Sequence, residues 1–264
     1  MTSALRGGVL ELTTEQYLLA WDRLQLGLVH WNLKPPNRVE PPLTIKDSRA
    51  AQQRTWDALR TRGLASARQL APELEDALHL IARPAAELNA QLDWPEGKRT
   101  VVGGARGEHA AIAELGAFGM RIRTTRASAL PIAMAEVIPD RPMPSGTAAS
   151  VPAGLLNDHQ QGLTSAELER TLLRGGARPD DVQRFRIMLQ GPKLRGGKFG
   201  AAWRDRQGGR RAAKFVVSYY ETQRGGYTIE QKRGVDGSPW YTLAPAARPQ
   251  LAQRLAHLLD SIRP

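Results

Sequence analysis

Cysteine is absent from this chain. Disulfides, thiolate nucleophiles and cysteine-type zinc sites are therefore excluded, and a reducing compartment is the simplest setting. Long apolar runs are missing too: nothing approaches the roughly eighteen consecutive apolar residues that a membrane-spanning helix needs. The segment Met1-Thr2-Ser3-Ala4-Leu5-Arg6 lacks the apolar stretch of a signal peptide. The expectation is a soluble, cytoplasmic protein that neither inserts into membranes nor leaves by a general secretory signal.

Catalytic motifs are equally scarce. The histidines His30, His79, His109, His159 and His257 show no HExxH spacing and no second ligand nearby in sequence. No G-x-S-x-G elbow occurs. Gly103-Gly104-Ala105-Arg106-Gly107 follows a strand-like run but lacks both the Lys-Ser/Thr pair of a P-loop and GxGxxG spacing, and a strand rather than a helix follows it, so a turn or bulge is expected. The acids Glu73, Glu75 and Asp76, and likewise Asp180 and Asp181, sit at helix starts, where the helix dipole accounts for them. No metal or cofactor is expected, and an enzyme would need a site assembled in space.

What the chain does have is size and positive charge. Its 264 residues can bury roughly three quarters of the surface of the unfolded form, as one large domain or two half-sized ones. The formal charge is +11, and it is concentrated: between Arg186 and Arg233 twelve basic residues face three acids. The remainder is nearly balanced.

Along the chain, Val9 to Leu12 alternates like a strand and leads into Thr13-Thr14-Glu15-Gln16, a capping box. The helix after it carries Tyr17, Trp21, Leu24 and Leu28 on one stripe. Pro35, Pro36, Pro41 and Pro42 favour an extended connection. Asp47 is placed to cap a second helix reaching Arg62, with Trp56 and Leu59 inward and Gly63 behind its end. A third helix from Pro72 to Arg83 shows Leu74, Ala77, Leu78 and Ile81. Strand-like runs follow at Glu87 to Trp94, Arg99 to Arg106, His109 to Leu115 and Met120 to Thr125. A helix from Ser128 to Val137 comes next, then a linker composition at about 140–154. Thr164 with Glu167 forms a second capping box ahead of Leu168, Leu172 and Leu173; Pro179 opens a helix striped with Val182, Phe185, Met188 and Leu189.

The C-terminal quarter reads as strands at Gly197 to Trp203, Ala212 to Tyr219, Tyr227 to Lys232 and Trp240 to Leu243. Turns lie at Gly208-Gly209 and Asp236-Gly237, and a closing helix carries Leu251, Leu255, Leu258 and Ile262. Each half thus runs helix, proline, four strands, helix. The fold expected is α+β: one domain over residues 1–264 built as a quasi-two-fold internal repeat, with halves at roughly 64–139 and 175–262. A central, mostly antiparallel sheet is flanked by helical bundles.

The basic tract interleaves Phe199, Trp203, Phe215, Tyr219, Tyr220 and Tyr227. Phosphate contacts use Lys and Arg and single-stranded bases use aromatic platforms, so a nucleic-acid-binding sheet is one open function class. Strand aromatics also serve as core, which leaves a protein-binding surface as the other.

The order Gly197-Lys198-Phe199-Gly200, Trp203-Arg204-Asp205-Arg206, Tyr227-Thr228-Ile229-Glu230-Gln231-Lys232-Arg233 and Trp240-Tyr241-Thr242-Leu243-Ala244-Pro245-Ala246, then a leucine-rich helix, resembles the C-terminal half of the EspG family. Leu10-Glu11-Leu12-Thr13 before an aromatic-rich helix resembles the family's opening. These are chaperones associated with ESX (type VII) secretion in actinobacteria. The resemblance implies a non-enzymatic cytosolic protein without cofactor, which caps the apolar tip of the PPE subunit of PE–PPE heterodimers; weak self-association is compatible with it. It further implies partner contacts from the loop Trp94, Pro95, Glu96 and Lys98, from the sheet at Lys198 and Arg233, and from the second helical bundle at Phe185, Arg186 and Leu189. The loop is shorter here than in many relatives, and the charge is higher, which points to an acidic partner tip or an unusual substrate.

Overall fold

The computed structural model describes residues 8–35, 45–155, 165–205, 207–234 and 237–263. Pro36, Pro41, Pro42, Thr164, Arg206 and Asp236 lie outside these residues. Two compact units divide the chain: one takes the described residues up to Gln91, with Gly97–Leu130 and Trp203–Arg210; the other takes Leu92–Glu96, Pro131–Ala202 and the described residues from Arg211. Both are antiparallel sheets packed by helices, the α+β class expected.

In the first unit a short strand β1 (Leu10–Leu12) enters helix α1 (Thr14–Arg23). The capping box forms as the sequence predicts: Gln16 N–H donates to the Thr13 hydroxyl at 3.2 Å, and Thr13 N–H to the Gln16 side-chain Oε1 at 3.1 Å. The helix ends earlier than its apolar stripe suggests. Gln25 takes a φ of 49°, and the Trp21 indole N–H donates to the Gly27 carbonyl at 2.9 Å, which turns the chain back before Leu28. That residue, expected on the buried stripe, is 98% exposed.

Helix α2 (Ile45–Thr61) starts before Asp47, so Asp47 stands in its first turn rather than at its cap. Trp56, Leu59 and all four expected residues of α3 (Pro72–Ala82) are buried. Strands β2 (Ala86–Trp94), β3 (Gly97–Arg106), β4 (His109–Gly116) and β5 (Gly119–Arg126) follow, in the spatial order β1-β5-β4-β3-β2. Gly103 and Gly104, expected in a turn or bulge, lie inside β3 in regular register with Ile112 and Ala111. The reason for a glycine at 104 is steric: a Cβ there would collide with the Leu80 carbonyl of α3, so the missing side chain lets helix and sheet approach closely.

In the second unit α4 (Leu130–Ala135) is two residues shorter at each end than expected. The expected linker contains a strand, β6 (Ala149–Pro152), whose Ala149 and Val151 are buried; its alternation was hidden by flanking proline, glycine and serine. Helices α5 (Ser165–Arg174) and α6 (Pro179–Leu189) precede β7 (Arg195–Arg204). The single strand expected from Ala212 to Tyr219 is two, β8 (Arg210–Ala212) and β9 (Val217–Thr222), because Lys214 to Val216 leave the ladder. Strands β10 (Gly225–Arg233) and β11 (Pro239–Pro245) and helix α7 (Arg248–Asp260) complete the unit, with order β7-β9-β10-β11-β6.

Candidate partner-binding surface

The register of the second unit assigns each side chain to a face. Lys198 pairs with Ser218, Ser218 with Ile229, and Ile229 with Leu243, so these four share one face. Helices α5 and α6 seal the same face at its far side: Leu172, Val182, Phe185 and Met188 pack with Val151, Tyr220, Tyr227 and Leu243. Tyr220 stacks on Tyr227 at 5.4 Å and donates its hydroxyl to the Met188 carbonyl at 3.2 Å. Burial raises the Tyr220 pKa, with the neighbouring Tyr227 adding to the effect.

Beyond the sealed region the face is open. Lys198 is exposed on β7, and Arg233, four residues beyond Ile229 on β10, is exposed on the same side. Helix α6 turns Arg186 and Ile187 outward, the latter 39% exposed. The Arg186 guanidinium pairs with Glu169 of α5 at 3.5 Å. Phe185, expected at the contact, is 3% exposed and belongs to the core beneath α6, since the 3.6-residue period that makes Arg186 outward makes Phe185 inward. Leu189 is half-buried against that core.

The hairpin tip is arranged differently. Arg195 pairs with Glu221 in the ladder, so it lies on the sheet face opposite to Lys198. Its guanidinium sits 5.4 Å from the Trp94 ring centroid, donates to Glu96 at 3.0 Å and meets Glu221 at 3.5 Å. Glu221 is 3% exposed and also meets Arg141 at 3.4 Å. The Glu96 hydrogen bond, outweighing the cost of burial, holds the Arg195 pKa above its ordinary value. Burial, reinforced by the Glu221 charge, pushes the neighbouring Tyr219 up to about 12. Trp94 is thus half-covered by Arg195, while Pro95 and Glu96 stand exposed at the tip and Lys98 is exposed on the strand leaving it. The expected site residues therefore fall into two groups, the tip at Arg195 and the open face at Lys198 and Arg233. Arg195, Glu221 and Ile187 were not singled out from sequence; Glu221 is one of only three acids in the basic tract, the one signal that could have marked it.

Four of the six aromatic residues of the tract are withdrawn from any stacking platform: Phe199, Tyr219, Tyr220 and Tyr227 are all at most 4% exposed, whereas Trp203 and Phe215 are half-buried. Among the described residues no group of three His, Asp or Glu side chains could hold a metal ion, and no described helix is long and apolar enough to cross a membrane.

The EspG family profile matches residues 13–257. This chain belongs to the EspG family. Among solved structures that match is the type VII secretion system chaperone EspG5 of Mycobacterium tuberculosis in complex with the PE25-PPE41 dimer, 15% identical, with a TM-score of 0.72 over 97% of each chain. No curated protein matches.

Proposed function

We propose that this EspG-family chain is a cytoplasmic secretion chaperone without catalytic activity, which binds a PE–PPE-type heterodimer and keeps it soluble for type VII secretion. The observation that carries this is the family match across nearly the whole chain, supported by a fold similar to a chaperone solved with such a dimer. Physically, a partner with an apolar helical tip needs a surface with a few apolar anchors and a polar rim. Two surfaces of the second unit supply that composition: the open sheet face carries exposed Lys198 and Arg233, and the outer side of α6 carries Arg186, Ile187 and half-buried Leu189. The exposed hairpin residues Pro95, Glu96 and Lys98, with Trp94 behind them, offer a second, smaller contact. Co-expression with a PE–PPE pair that precipitates alone tests the proposal: the pair is expected to stay soluble and to co-elute with the chain, and a pair that precipitates regardless contradicts it.

A further inference from the structure

A groove of about 760 Å³ runs between helix α7 and the connection from β8 to β9. It opens because the helix and the strand stop covering each other. The first half of the α7 stripe, Leu251 and Leu255, is fully buried, whereas Leu258 is half-buried and lines the groove. Opposite it, Lys214 to Val216 leave the ladder, and Val216 is 45% exposed for want of a neighbour. Val217, Leu258 and Ile262 complete an apolar floor.

The walls carry four cations, Arg211, Lys214, Lys232 and Arg254, against a single carboxylate, Glu230. That carboxylate is already neutralised, at 2.8 Å from Arg254 and 3.5 Å from Lys232. Arg211 and Lys214 are exposed and have no acidic partner among the described residues. Glu230 and Lys232 alternate with Ile229, so the groove lies on the sheet face opposite to Lys198 and Arg233. It therefore lies on the reverse side of the sheet from the open face at Lys198 and Arg233 assigned to the PE–PPE pair.

We infer that this groove docks an acidic, apolar-interleaved peptide segment of a second protein partner. An extended segment places alternate side chains on opposite sides. Carboxylates on one side meet Arg211, Lys214 and Lys232, and apolar side chains on the other cover Val216 and Leu258. Charge argues against a second copy of this chain, whose own +11 repels the same walls. The apolar floor argues against a nucleic acid, because Phe215, itself half-buried, is the one Phe, Tyr or Trp that lines the groove.

The test uses the full chain and a short fluorescein-labelled peptide of alternating Glu and Leu, read by anisotropy at low salt, with a Gln-Leu peptide as control. The Glu-Leu peptide is expected to bind at least about tenfold tighter than the control, and the exposed double variant Arg211→Glu, Lys214→Glu to lose about tenfold or more. Val216→Asp weakens binding as well. Co-elution with a PE–PPE pair stays unchanged in the double variant. Equal binding by variant and wild type overturns the inference. So does a single-stranded oligonucleotide that displaces the peptide, self-association abolished by Val216→Asp, or loss of PE–PPE co-elution in the double variant.

Discussion

The Arg195 guanidinium lies 5.4 Å from the centroid of the Trp94 ring while donating to Glu96 at 3.0 Å and meeting Glu221 at 3.5 Å. One side chain thus fixes the hairpin tip and brings a positive charge to a carboxylate that is 3% exposed. Arg195→Ala leaves Glu221 with Arg141 alone and is expected to cost about 2 kcal/mol, read as a shift of the urea midpoint. Arg195→Lys restores the charge but not the planar fork, and recovers only part of the loss. A midpoint unchanged in Arg195→Ala contradicts this role.

In the first unit Glu87 is 2% exposed and holds three donors on one oxygen: His30 at 3.2 Å, Arg210 at 3.0 Å and the Asn89 amide at 2.9 Å. Burial, the largest single effect, pushes its pKa up. The hydrogen bond and charge of His30 and those of Arg210 outweigh it together and hold the carboxyl at about 2, below the ordinary 4.5. The folded state thus binds its proton later than the unfolded state as pH falls. The stabilisation is complete above about pH 4.5 and is lost as pH falls towards about 2, an effect on the order of 3 kcal/mol. Glu87→Gln is expected to be less stable at neutral pH and to show a flatter acid limb in denaturation curves between those pH values. An acid limb as steep as wild type counts against it.

Gly104→Ala places a methyl group against the Leu80 carbonyl. Separating α3 from β3 to relieve it is expected to cost about 1–3 kcal/mol, visible as a lower thermal midpoint. A variant as stable as wild type means that the close approach is not required.

Phe185 and Arg186 are neighbours with opposite fates. Phe185→Ala, in the core under α6, is expected to cost about 3–5 kcal/mol of stability. Arg186→Ala, whose pair with Glu169 is exposed, is expected to change stability by less than about 1 kcal/mol. Denaturant titration of both separates a structural residue from a surface one; equal losses contradict the assignment.

Much of the architecture was legible because it is local. The capping box at Thr13 and Gln16, the α3 stripe and the hairpin glycines each declare themselves within a few residues. What escaped depends on tertiary context. Leu28 continues the α1 stripe in sequence, yet the Trp21 bond to Gly27 ends the helix first. Gly104 resembles turn chemistry but answers to a helix more than twenty positions upstream. Lys214 to Val216 have strand-like composition and are pulled out of the ladder. For the surface, the family resemblance named Lys198 and Arg233 as sheet positions, and the register places both on one face. It could not show that Phe185 is core, nor that Arg195 on the reverse face holds the hairpin tip, since the facing of a strand residue follows from register.

Hydrogen exchange of the chain alone and in complex with a PE–PPE pair tests the central claim most directly. The account predicts a complex in which amides of the outer turn of α6 around Arg186 and Ile187, of β7 around Lys198 and of the end of β10 near Arg233 gain protection. Failure to form the complex, or a complex that leaves these segments exchanging as in the free chain, would contradict it.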